Sequence, residues 1–319
     1  MKISVGSKVF LLGEYLALNG GPAITACFEP RFEMYFSKSK KEYCEIKNLF
    51  HQQSPAGVYY EKNRNFFHNI EIHFKDPHLG KGGWGASSAQ FALLAAFVEG
   101  KKINLFSENL QVLDLNLYNH LRTNLYSTID NEFLKVTKEL SPTGSTPSGF
   151  DVLSQIYGGV CVLDRNQNIY KNINLDFGSA DDYLVFHTGV KVATHSHLAD
   201  LKSLNYNNFY NIVNHFIEAL KNRNYNLMIK SINDFRNALV TQNLELNSTT
   251  DLINYLSKDR DILNAIKGCG ALGADLIFLI YNKKNKENIL ELLRKAGITN
   301  FIFSSQLTDG LQFEITAHD

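Results

Sequence analysis

Lys81-Gly82-Gly83-Trp84-Gly85-Ala86-Ser87-Ser88-Ala89 runs through Gln90 into the apolar segment FALLAAFV. This pattern predicts a glycine-rich turn feeding the N-terminus of a buried helix, a geometry suited to binding a phosphate. Glycine permits positive φ and lets the backbone approach an anion closely. The free N–H groups of the first helical turn point at that anion, and serine hydroxyls can hold a metal or an oxygen. The stretch is neither GxxxxGK[ST] nor a dinucleotide fingerprint, so a P-loop is not implied. Small residues at a helix entry also permit close packing, and the loop alone leaves both readings open.

Two further segments bear on the choice. Gly6 to Tyr15 alternates into the apolar run Val9-Phe10-Leu11-Leu12 and closes on Gly13, which predicts a strand carrying Lys8 and ending in a turn. Pro147-Ser148-Gly149-Phe150-Asp151-Val152 places an acid just after a Ser-Gly turn and ahead of Tyr157-Gly158-Gly159-Val160. An aspartate there can look into a cleft or can cap a helix. Lys8 is compatible with an exposed strand position, and Ser87 with a helix cap.

The segments KVFLLGEY, GGWGASSA, PSGFDV and KGCGALGAD occur in an order that resembles the GHMP small-molecule kinases, which include homoserine, mevalonate and phosphomevalonate kinases and galactokinase. The resemblance spans Lys8 to Asp275. It implies an α+β, two-domain GHMP kinase fold with an N-terminal ribosomal-protein-S5-like βαβ domain over 1–175 and a C-terminal ferredoxin-like domain over 176–319. It also implies ATP and Mg²⁺ as cofactors.

By the same resemblance, Gly83, Trp84, Gly85, Ala86, Ser87 and Ser88 wrap the nucleotide phosphates, with Ser87 on Mg²⁺. Asp151 and Lys8 are the catalytic pair, orienting the acceptor and offsetting charge on the transferring group. Glu139 is the candidate second metal ligand. Glu14, Tyr15, Ser148, Gly149, Lys191, Thr194 and Gly270 are the substrate contacts implied. Ala86 stands where serine is usual, and Leu272 and Ala274 occupy glycine positions of the last motif.

The acceptor reading follows from details of these motifs. Glu14-Tyr15 after the first strand, SGFDV followed by YGG, and Asp275 closing the last motif resemble phosphomevalonate kinases; PSG before Asp151 is equally at home in mevalonate kinases. A phosphate monoester is already anionic at neutral pH and needs cations, whereas a hydroxyl must lose a proton and gives Asp151 a role as base. The expected activity is phosphorylation of 5-phosphomevalonate, with mevalonate as the alternative. A non-catalytic nucleotide- or metabolite-sensing relative is the reading from another class.

Composition fits an enzyme for a small molecule. Lys plus Arg and Asp plus Glu are 32 each over 319 residues, so no overall positive field attracts nucleic acid or an anionic membrane. No run of about 18 apolar residues suggests a membrane span. MKISVGSKVFLLGEY lacks a secretory h-region, so a cytoplasmic monomer or homodimer is expected. Cys27, Cys44, Cys161 and Cys269 have no metal or disulfide spacing. His195 and His197, next to Lys191 and Thr194, are a modest substrate-side possibility rather than a metal site.

Periodicity predicts strands at 2–12, 31–37 and 69–74 and a buried helix at 87–99, with a division near residues 170 to 181. Beyond it, Phe209, Ile212, Val213, Phe216 and Leu220 keep helical spacing, as do Met228, Ile232, Phe235 and Leu239. DLIFLIY, NFIFSS and LQFEITA read as strands, and KENILELLRKAG as a helix closed by Gly297. Together they suggest a split βαβ pattern in one α+β layer.

Overall fold

Strand β1, Lys2–Leu12, is buried along almost its whole length, and it carries Lys8 toward the middle of the molecule. In this computed structural model, residues 1–43, 49–141, 147–189, 204–258, 262–273 and 275–316 are described. β1 pairs antiparallel with the long β2, Ala23–Lys38, with bulges between Val5 and Ser7 and between Phe10 and Leu12. The far half of β2 pairs with β3, Ile70–Lys75, and its near half with β4, Val160–Asp164, which is flanked by β5, Ile169–Ile173.

The second sheet holds β6, Asp181–His187, β7, Leu263–Cys269, β8, Leu276–Asn282, and β9, Phe301–Phe303, in the order β7-β8-β6-β9. All its pairings are antiparallel. The last strand, β10, Gln312–Glu314, does not extend this sheet as LQFEITA was expected to do; it returns to pair with β1. Arg31 explains the return. Its guanidinium donates to Ser4 Oγ and O, Thr308 Oγ1, and the carbonyls of Asp309 and Gly310, tying the C-terminal segment to β1.

The first layer's helices are α1, Pro55–Lys62, α2, Ala86–Lys102, α3, Leu115–Leu140, and α4, Phe150–Tyr157. α2 is buried from Ser88 almost to its end and packs against α1, α3, α4, β1 and β2, so its run of apolar side chains needs no polar face. Phe36 of β2 stacks on Phe97 of α2 at 4.0 Å between ring centroids. α3 starts at Asp114, whose carboxylate accepts from Leu117 N, and buries one stripe that includes Leu125, Ile129, Asp130, Phe133 and Val136.

The second half adds α5, Tyr206–Lys221, α6, Tyr225–Thr241, α7, Asn247–Leu256, and α8, Lys286–Lys295. One continuous core joins β1, α2, α5, α6 and one face of the second sheet. A smaller core of Leu184, Ile253, Ile266, Ile277 and Leu293 lies under α7 and α8. The polar stretch near 170 to 181 is partly the edge strand β5 rather than only a connection, since an edge strand can be exposed and polar.

Candidate active site

The glycine loop is braced from three sides before it enters α2. Lys8 N donates to Trp84 O at 2.9 Å, holding the loop against β1. Gly85 has φ +88°, and a Cβ there would lie 2.8 Å from Lys8 Cγ and 3.1 Å from Gln155 Nε2. Only glycine satisfies both the backbone conformation and that approach. Gly83 meets the second half of the chain, for its Cβ would lie 2.5 Å from Asp275 Cβ.

Trp84 is buried, and His78 lies flat on its indole at 4.5 Å and 8°. Ser7 Oγ donates to Pro30 O, so the 2.6 Å contact between His78 Nε2 and Ser7 Oγ requires the imidazole to be the donor. Burial pushes the His78 pKa down to about 4, which keeps the ring neutral. The loop is thus fixed by neutral contacts. Ser88 is buried and donates to Gly85 O, whereas Ser87 is exposed at the helix entrance.

Asp151 sits in the first turn of α4, after Gly149 at φ 75°. Its Oδ1 is 3.0 Å from Lys8 Nζ, with Asp151 40% exposed and Lys8 10%. The lysine is therefore inside and the carboxylate faces outward, beside the entrance of α2. Sequence reasoning missed what holds Asp151 there. Arg165, just beyond β4, spans both carboxylate oxygens of Asp130 in α3 and donates through Nε to Ser148 O. A Cβ on Gly149 would lie 2.6 Å from the Arg165 guanidinium, so the Ser148-Gly149 turn closes directly onto this pair.

Glu14 and Tyr15 follow β1 and reach the second sheet. Tyr15 OH accepts from Leu272 N at 3.0 Å, and Glu14 Oε1 lies 3.1 Å from Lys267 Nζ in β7. Burial pushes the Glu14 carboxyl up, while Lys267 and, further off, Lys8 pull it back. Burial also acts to lower the Lys267 ammonium, but Cys269 and Glu14 hold it above its usual value. Leu272 has φ 55°, so it adopts the left-handed conformation that a glycine would take at this position. Gly270 turns toward Asp275, whose Oδ2 would lie 3.3 Å from a Cβ there.

The structure thus brings together Lys8, Asp151, the 83–88 loop, Ser148, Gly149, Glu14, Tyr15 and Gly270. Glu139 stands apart: it is exposed in the last turn of α3 and pairs with Lys62 at the end of α1, not with the glycine loop. Lys191 and Thr194, like His195 and His197, lie outside the described residues. Among the described residues, no three His, Cys, Asp or Glu side chains gather as a metal-holding group. Nor is any helix among the described residues long and apolar enough to cross a membrane.

The two antiparallel sheets and the helices packed on them share their fold with solved structures of GHMP small-molecule kinases. Mevalonate kinase from Methanococcus jannaschii matches at TM-score 0.68 and 16% identity, covering 95% of this chain and 97% of its own. Phosphomevalonate kinase from Streptococcus pneumoniae matches at 0.66 and 16%, covering 94% and 98%. Galactokinase from Lactococcus lactis, solved with galactose, matches at 0.67 and 12%, covering 98% and 94%. No protein-family model matches the sequence. No curated protein matches it by sequence either. The shared fold carries three different acceptors, so it does not select one.

Proposed function

We propose that this protein is an ATP-dependent small-molecule kinase. The observation that carries the reading is the Lys8–Asp151 pair at 3.0 Å beside the glycine-braced N-terminus of α2. The nucleotide phosphates bind the free amides at the start of α2, where the helix dipole favours negative charge. The acceptor oxygen attacks the γ-phosphorus as the bond to the β,γ-bridging oxygen breaks and ADP departs. Asp151 orients the acceptor and, where that is a hydroxyl, takes its proton; Lys8 offsets charge on the transferring group.

The oxygen donors at the loop suit Mg²⁺, which binds one or two protein oxygens together with phosphates and water. Ser87 would hold it, and the ion would neutralise phosphate charge. Glu139 is a weaker candidate because Lys62 already engages it. The order β7-β8-β6-β9 supports a ferredoxin-like C-terminal half, joined to an S5-like N-terminal half near residues 170 to 181.

For the acceptor, 5-phosphomevalonate is our first assignment, on Glu14-Tyr15, the SGFDV and YGG segments, and Asp275. Mevalonate is the second, favoured by the outward-facing Asp151 carboxylate, which has a clear task only with a hydroxyl. Lys191 and Thr194 remain proposed contacts. The test is ADP release from Mg-ATP with 5-phosphomevalonate and mevalonate in parallel. Release with either assigns the acceptor. Nucleotide binding without ADP release from any acceptor would replace the kinase reading with a sensing one.

A further inference from the structure

Gln155 lies in α4 one helical turn beyond Asp151 and is fully buried. Its Nε2 donates to two carbonyls from different segments, Gly6 O at 3.2 Å and Gly85 O at 3.1 Å. Gly6 sits in the β1 bulge between Val5 and Ser7, two residues before Lys8. Gly85 is the residue at which the glycine loop becomes α2. One side-chain amide therefore joins the helix that carries Asp151, the strand that carries Lys8 and the entrance of α2.

The bond to Gly85 falls on a carbonyl with two other donors. Gly85 O also accepts from Ala89 N at 2.9 Å and from Ser88 Oγ at 2.9 Å. Three donors fix the direction of that C=O, and across a trans peptide the N–H of the next residue points the opposite way. The next residue is Ala86, the first of α2, whose amide has no acceptor within its own helix. As a glycine, Gly85 has no side chain that could cap the first-turn amides. Orienting Gly85 O thus aims the Ala86 N–H out of the helix end, where an anion is favoured.

Stability alone does not account for this amide. Gln155 Oε1 is buried with no hydrogen-bond partner among the described residues, and an unpaired buried acceptor is costly. The two halves of the amide cannot exchange places, since an oxygen in place of Nε2 would face the Gly6 and Gly85 carbonyls. A lysine would supply donors but add a second cation near Lys8, whose Cγ lies against the same face of Gly85. A primary amide gives two neutral donors from one nitrogen, which matches two carbonyls.

Building on the kinase reading above, we propose that Gln155 is a positioning residue for the nucleotide phosphates: through Gly85 O it holds the Gly85–Ala86 peptide so that the Ala86 N–H donates to a phosphate oxygen. Gln155 acts through the loop backbone and does not touch the nucleotide.

The test compares the wild type with three variants. Gln155→Met keeps the length of the side chain but has no donor. Gln155→Asn keeps the amide one methylene short of the two carbonyls. Val98→Ala removes buried volume farther along α2 as a packing control. Mg-ATP and inorganic tripolyphosphate are titrated against the fluorescence of Trp84, the one tryptophan of the chain, and urea unfolding is followed for each protein. Gln155→Met should weaken both ligands by the same factor, about ten-fold, because the lost interaction lies wholly at the phosphates. Gln155→Asn should weaken both by about three-fold or more. Val98→Ala should unfold at lower urea yet bind both ligands within about two-fold of wild type.

Wild-type affinity for both ligands in a folded Gln155→Met would overturn the inference while leaving the kinase reading intact; if that variant does not fold, Gln155→Asn decides by the same measure. A loss confined to Mg-ATP would also overturn it, by placing the defect at the nucleoside end. A loss in Val98→Ala as large as in Gln155→Met would reduce Gln155 to a stabilising contact. A wild type that binds neither ligand, by fluorescence and by calorimetry, would mark failure of the kinase reading itself and of the inference with it.

Discussion

Lys8 Nζ and Asp151 Oδ1 lie 3.0 Å apart, joining the centre of β1 to the first turn of α4. Lys8 also donates its backbone amide to Trp84 O, so one residue connects the carboxylate and the glycine loop. Asp151→Asn preserves shape and removes the charge. With a hydroxyl acceptor it should lower kcat by about 10²-fold to 10⁴-fold, and Lys8→Met by about 10²-fold to 10³-fold, with Mg-ATP affinity little changed. Steady-state kinetics beside circular dichroism checks this. An intact rate in Asp151→Asn would remove that residue from the mechanism.

Gly85→Ala tests the loop. At φ +88° an alanine is strained by about 1–2 kcal/mol, and its methyl group would press on Lys8 Cγ at 2.8 Å. The variant should unfold at lower urea and bind Mg-ATP about ten-fold more weakly or worse. A Trp84 fluorescence titration with wild-type affinity would show that the loop is not the nucleotide site.

The glycine turn and the helix it enters were legible in the sequence because they rest on local features: positive-φ glycines and an apolar helical run in one short stretch. β1, α2 and the helices around Phe209 and Met228 were legible for the same reason, their apolar spacing being local. α3 was not, since it buries one narrow stripe over a long polar surface. β10 was read as a strand, but its partner depends on Arg31, far away in sequence. At Leu272 the unusual residue concealed an ordinary backbone, a left-handed turn of the kind glycine would make. Lys267 and Arg165 act through partners that only the fold supplies.

His78 links stability to pH. Its folded pKa of about 4 lies below the 6.5 of an unperturbed imidazole. Between those values the unfolded chain binds a proton that the native ring refuses. The His78 contribution is therefore complete above pH 6.5 and is lost as pH falls toward 4. Because the ring is only half-buried, the effect should be about 1 kcal/mol after solvent screening. Urea unfolding at pH 7 and pH 5 should show a smaller loss in His78→Gln than in wild type. Equal losses would mean that the imidazole is not the titrating group.

Arg165 should control turnover without touching the nucleotide. Its guanidinium holds Asp130 by two bonds of 2.6 and 2.7 Å and reaches Ser148 O at 2.8 Å, which fixes the turn ahead of Asp151. Lysine keeps the charge but cannot span three acceptors in one plane. Arg165→Lys should therefore let the Ser148-Gly149 turn relax and move Asp151 relative to Lys8. Small misplacements of a reacting group are costly, so kcat should fall about ten-fold or more while Mg-ATP affinity, read from Trp84, stays within about two-fold. Asp130→Asn should reproduce the defect, because it weakens the same anchor from the α3 side. A change in stability with kcat preserved would reduce Arg165 to a packing element of α3 and β4.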